Sequence, residues 1–149
     1  MKIVLDEGAI MPTRAHEDDA GFDLYARETQ IVPAKESAVF DTGVHIELPK
    51  INIYDGEGLL VSFKTVGFLK SKSGLNVKHG ILNEGVIDMG YTGSLKVKLY
   101  NNSGYDYKVE RGDKISQLVI LPIFTPKLEV VDHLTETERG DNGIGSTGK

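Results

Sequence analysis

The chain has 149 residues, 40% of them hydrophobic and 26% charged, the size and make-up of one globular domain, which excludes a disordered or collagen-like polymer. It contains no cysteine, so a disulfide framework, a thiolate zinc site and a cysteine nucleophile are all excluded. The net charge of −5 argues against a broad basic face for nucleic acid, and no apolar run suits a membrane span or a signal peptide, so a cytoplasmic protein is expected.

The dominant sequence period is two. In chain order, β-rich runs cover residues 2–5, 30–32, 37–40, 44–48, 59–63, 94–100, 115–124 and 128–131. Residues 94–100 alternate most cleanly, with Leu95, Val97 and Leu99 on one face and Lys96 and Lys98 on the other. Gly, Pro, Asn and Asp clusters divide the runs, the punctuation of an all-β sandwich or barrel. One short helix is expected over residues 73–78, with Gly80 after its end. Residues 139–148 are glycine-rich and read alone as a frayed C-terminus.

Four clusters have the residue types for chemistry. Asp18, Asp19 and Asp23 offer hard oxygens to a cation such as magnesium, or form a solvated acidic turn. Lys70, Ser71, Lys72, Ser73 and Gly74 pack cations, hydroxyls and a glycine at the start of the helix, which suits a phosphate cradle or a basic surface loop. Asp88 and Tyr91 lie in a glycine-flanked turn after an apolar strand. Residues 111–117 read as a turn entering a strand. The four histidines, His16, His45, His79 and His133, are scattered without ligand spacing, and none is expected to be catalytic.

In this order the segments resemble the five motifs of the homotrimeric deoxyuridine triphosphatases (dUTPases). They are AGFDLYA at 20–26, KSGL at 72–75, GVIDMGYTG at 85–93, RGDKISQLVI at 111–120 and RGDNGIGSTG at 139–148. The resemblance implies a jelly-roll-like β-barrel or sandwich over residues 1–138 and an arm, 139–149, that closes a neighbouring subunit's site. It implies hydrolysis of dUTP to dUMP and pyrophosphate with Mg2+, in three sites shared by a homotrimer. By motif position, Asp88 matches the acid that activates water. Asn83, Gly85 and Ile87 lie in the hairpin that reads uracil, and Tyr91 matches the ring under the deoxyribose. Lys72, Ser73, Gly74 and Gln117 match the phosphate contacts. Arg139, Ile144, Gly145, Ser146 and Thr147 match the arm, and Asp23 the acid holding a water of the magnesium shell.

Three positions depart from the family pattern. Lys72 replaces an arginine and so loses a bidentate fork, Ile144 replaces the phenylalanine that stacks on uracil, and Asn142 replaces a glycine. Residues 51–66 are longer than the usual connection and are expected to form an extended hairpin. Two other readings share the fold: a nucleotide-responsive regulator that binds a protein partner through that insertion, and a dCTP deaminase, which the third and fifth motifs disfavour. Direct nucleic-acid or membrane binding is not expected.

Overall fold

A computed structural model describes residues 1–54, 56–58 and 60–141. All strand pairs are antiparallel. The largest sheet is built around β12 (Lys114–Ile123), flanked by β2 (Gly21–Tyr25) and β7 (Leu60–Lys70). The far side of β7 carries β6 (Ile51–Tyr54) over its first half and β9 (Glu84–Ile87) over its second. A second sheet places β10 (Lys96–Asn101) between β4 (Ser37–Asp41) and β8 (Ile81–Leu82). Two ribbons complete the fold: β1 (Lys2–Leu5) with β5 (Val44–Glu47), and β3 (Gln30–Val32) with β11 (Tyr107–Val109). The all-β, jelly-roll-like expectation holds. Among the described residues the ladders are open sheets, not a closed barrel.

Alternation explains the core. In β10, Val97 and Leu99 are buried while Lys96, Lys98 and Tyr100 face out. Phe40, Leu95, Leu99, Ile115, Leu118, Val32 and Val109 meet in one continuous apolar cluster. The expected helix is α1 (Ser73–His79). At seven residues it is too short to persist alone, so Leu75 on the core and the Gly80 cap hold it. Gly80 has φ 66°, the left-handed conformation that lets its amide donate back to Asn76 O at 2.9 Å.

Two expectations need correction. Of Asp18, Asp19 and Asp23, read as cation ligands or an acidic turn, Asp23 lies instead in a strand, β2, which is buried on both faces and shows no alternation to read. The run at 128–131 is not a strand. Leu128 and Val130 are fully exposed, and a β-prone sequence cannot form a ladder without a neighbouring edge. The insertion does form a hairpin, β6 against β7, with Tyr54 opposite Leu60.

Candidate functional site

One row of residues runs across four strands of the large sheet. Asp23 of β2 is opposite Gln117 of β12, which is opposite Lys70 of β7, which is opposite Glu84 of β9. The row brings the first, second and fourth motifs together at the end of β7 that leads into α1. Lys70 Nζ is held by Glu84 Oε1 at 2.6 Å, leaving Lys72 as the cation next to the helix start. Gly21 makes this assembly sterically feasible. A Cβ there would lie 2.6 Å from Gln117 Cγ and 2.8 Å from the Leu118 carbonyl oxygen, so glycine is what lets the Gln117 side chain lie against β2.

Asp23 is the electrostatic centre of the row. It is buried, and its two oxygens accept from Lys72 Nζ at 2.5 Å and Lys114 Nζ at 2.7 Å. Burial pushes the carboxyl pKa up, but the hydrogen bonds and charges of Lys114 and Lys72 outweigh it and hold the pKa below its ordinary value. Lys114 in turn is held above the usual lysine range by Asp23. Asp18 and Asp19 do not join this group. Asp19 caps its own turn by accepting from the Ala15 and His16 amides. Among the described residues no three acidic or histidine side chains gather as a metal cage.

A serine lock ties the helix loop to the hairpin. Ser71 Oγ donates to the Asn83 carbonyl at 2.9 Å and accepts from the Asn83 amide at 2.8 Å. Asn83 Nδ2 donates to Ser116 Oγ at 2.9 Å, and Asn83 Oδ1 is buried with no partner. Both main-chain groups of Asn83 are therefore engaged within the protein. The next segment is β9, which among the described residues is paired with β7 alone. Among the described residues no strand pairs with the other side of β9, which leaves an edge of N–H and C=O groups there. Gly85 and Ile87 lie on this strand. A Cβ at Gly85 would sit tightly, 3.1 Å from Leu69 Cδ1, and Ile87 is buried over Gly67.

Asp88 and Tyr91 follow β9. Asp88 is exposed, and its carbonyl accepts from the Tyr91 amide at 2.9 Å to form a turn. The Tyr91 ring folds back over Gly93, where a Cβ would lie 2.6 Å from Tyr91 Oη and 2.7 Å from Cζ. Its hydroxyl donates to the Ser94 carbonyl at 2.8 Å. The third-motif glycine is thus a notch for the tyrosine ring. Asp88 stands four residues beyond Glu84, about 13 Å along the strand from the Asp23–Gln117 row. Within one chain, the acid and the basic cradle do not converge.

Ser73 and Gly74 occupy the exposed first turn of α1, where nothing crowds Gly74. Arg139 is exposed beyond the last strand, whereas Ile144, Gly145, Ser146 and Thr147 lie outside the described residues. Sequence reasoning assigned no role to Lys114, Ser116, Gly21 and Gly93, and it grouped Ser71 with the phosphate cradle, whereas its hydroxyl is taken by Asn83. Arg111, in the fourth motif, has an architectural job: Nε donates to the Arg27 carbonyl at 3.1 Å and Nη2 to the Gly8 carbonyl at 3.3 Å.

A model of the dUTPase family matches residues 7–148. The chain belongs to the dUTPase family. It is 42% identical over 147 residues to the deoxyuridine 5'-triphosphate nucleotidohydrolase of Clostridium acetobutylicum, covering 97% of this chain and 92% of that one. It is 43% identical over 154 residues to the enzyme of the same name from Clostridium novyi, covering 99% of each. Its fold is similar to that of the Staphylococcus bacteriophage 80alpha dUTPase with dUPNHPP, with a TM-score of 0.84, 31% identity and coverage of 99% and 98%. It is also similar to a variant dUTPase from phage phi11 of S. aureus that coordinates a structural Mg(II) ion, with a TM-score of 0.74, 32% identity and coverage of 89% and 96%.

Proposed function

We infer that the chain hydrolyses dUTP to dUMP and pyrophosphate, by attack of water on the α-phosphorus, in sites built between subunits of a homotrimer. The observation that carries this reading is the sheet row joining Asp23, Gln117 and the Lys70–Lys72 loop, with Asp88 set well away from it in the same chain. A triphosphate held at the cradle of one subunit needs an acid, a sugar platform and a base-reading edge supplied by another. The unpaired apolar residues Leu128, Val130 and Leu134, all strongly exposed, support assembly.

In this reading Lys72, Ser73, Gly74 and Gln117 orient the phosphates. Lys72 supplies a point charge where an arginine would supply a fork. The β9 edge from Glu84 through Ile87 presents donors and acceptors to uracil. Cytosine reverses that pattern, and the methyl of thymine is excluded by the close strand. Asn83 fixes the edge rather than reading the base with its main chain, because Ser71 already takes both groups. Tyr91 lies under the deoxyribose and leaves no space for a 2′-hydroxyl. Asp88 orients the attacking water and accepts its proton as the bond to phosphorus forms. The electron pair of the breaking P–O bond leaves with pyrophosphate. Arg139, Ile144, Gly145, Ser146 and Thr147 close the site from the arm.

Magnesium fits this chain as an ion carried mainly by the nucleotide. Asp23 is a single hard-oxygen donor beside the cradle, and both its oxygens are already bonded to lysine. Asp23 would hold a water of the metal shell once Lys72 turns to phosphate. When bound, the ion neutralises charge on the triphosphate. Asp88→Asn tests the assignment. Equilibrium binding of a non-hydrolysable dUTP analogue should stay within several-fold, while turnover falls roughly 100-fold or more. Near-normal turnover would remove Asp88 from the mechanism.

A further inference from the structure

His45 stands on β5, opposite Val4 of β1, and its ring joins two groups outside that ladder. Nδ1 lies 2.9 Å from the Thr92 carbonyl oxygen, and Nε2 lies 3.3 Å from Asp6 Oδ1. A carbonyl oxygen can only accept, so Nδ1 carries the proton that it donates to Thr92, and protonation of Nε2 as well turns the Asp6 contact into an ion pair. Asp6 is fixed from its other oxygen by Arg27 Nη1 at 3.5 Å.

Thr92 is the residue between Tyr91 and Gly93. The bond from His45 therefore grips the peptide unit that joins Thr92 to Gly93, on which the Tyr91 ring rests. Neighbouring contacts fix the rest of the loop. Ser94 Oγ donates to Asp41, and the Leu95 amide donates to the Val44 carbonyl at 2.8 Å. Residues 92, 94 and 95 are thus stapled to β4 and β5.

We infer that His45 is a positioning residue for the hydrolysis: braced by Asp6, its imidazolium holds the Thr92 carbonyl and thereby sets the height of the Tyr91 ring under the sugar. The inference rests on the proposed role of Tyr91. It assigns His45 no contact with substrate.

The charged groups around the ring are Asp6 at the end of β1, Arg27 after β2, and Asp41 on β4. Lys2 and Glu47, further along the β1–β5 ribbon, are paired with each other at 3.0 Å. The bond to Thr92 raises the pKa of His45 above its ordinary 6.5, and Asp6 and Asp41 add to this against a partial desolvation. With the folded pKa raised, both contacts are made below it; as pH rises through it the proton leaves Nε2, the Asp6 brace is lost, and the Nδ1–H bond to Thr92 remains without its charge and its brace. The neutral ring then turns a lone pair toward the Asp6 carboxylate.

Nuclear magnetic resonance of the full-length wild-type protein tests the coupling directly. The Gly93 nitrogen shares a peptide bond with the Thr92 carbonyl, so its shift should titrate with the His45 ring. A Gly93 signal that ignores the His45 titration overturns the proposal. Kinetics give a second test. His45→Ala should lower kcat/KM for dUTP about tenfold and narrow the preference for dUTP over UTP, as loss of a charged hydrogen bond predicts. His45→Asn places an amide N–H near the position of Nδ1. It should recover activity to within about threefold of wild type, with no alkaline loss tied to a histidine. Asp6→Asn should move that alkaline limb to lower pH. An Asn variant as poor as Ala, or an unchanged alkaline limb in both His45 variants, would contradict the inference. If the wild type fails to hydrolyse dUTP, the functional reading fails, while the His45–Gly93 coupling stands or falls on its own measurement.

Discussion

Gly93→Ala should separate activity from stability, and the structure gives its size. The new Cβ would lie 2.6 Å from Tyr91 Oη, 2.7 Å from Cζ and 3.0 Å from Cε2, all inside ordinary van der Waals contact. The ring must retreat by roughly 1 Å to restore normal carbon contacts. That shift breaks the 2.8 Å bond from the Tyr91 hydroxyl to the Ser94 carbonyl. Losing one such bond costs about 0.5–1.5 kcal/mol. Tyr91 is 42% exposed, so the freed hydroxyl finds water and the loss should fall at the low end. Alanine also restricts the unfolded chain, which returns about 0.4–1 kcal/mol. The net change in stability should be under about 1 kcal/mol, a shift in Tm of no more than about 4 °C. Activity should suffer more, because a misplacement of about 1 Å in a positioning group can reduce rate by as much as about 100-fold. We expect kcat/KM for dUTP to fall by about ten- to a hundredfold, with a weaker preference over UTP. Tyr91→Phe keeps the ring and loses only the hydroxyl, so it should fall less. The assay pairs thermal unfolding with steady-state kinetics on dUTP and UTP. Kinetics within about twofold of wild type, with discrimination intact, would refute the notch.

Two further perturbations follow from the same geometry. Asp23→Asn removes the carboxylate that joins Lys72 and Lys114, and should destabilise the fold by about 1–3 kcal/mol at neutral pH. Because the folded pKa of Asp23 lies below its ordinary 3.8, that difference should be full above 3.8 and vanish as pH falls through the depressed value. Urea unfolding of both proteins at pH 7 and pH 3 checks this, and a difference independent of pH would contradict it. Shared sites predict complementation. Trimers mixed from Asp88→Asn and Gln117→Ala chains should regain activity that neither homotrimer has, and a mixture no better than its parts would place each site within one chain.

Much of the fold was legible because the buried side chains of β10, β4 and β5 alternate with exposed ones. The helix was legible because glycine at position 80 can take the left-handed conformation that ends it. β2 was not, since a short strand buried on both faces carries no period. The run at 128–131 misled because β-propensity says nothing about whether an edge is available. At the site, the resemblance to the family's motifs pointed to Asp23, Lys72, Asp88, Tyr91 and Gln117, but not to how they associate. That Lys114 completes the pair on Asp23, that Ser71 takes both main-chain groups of Asn83, and that Gly21 and Gly93 clear space for Gln117 and Tyr91 all depend on strand register. The spacing of residues along one strand does not contain register.

The most direct test of the central claim is hydrolysis in 18O-enriched water, followed by mass analysis of both products. Attack at the α-phosphorus predicts one label in dUMP and none in pyrophosphate, with dUTP strongly preferred over dCTP, dTTP and UTP. Label in pyrophosphate, release of inorganic phosphate in its place, or equal use of the four nucleotides would contradict the account.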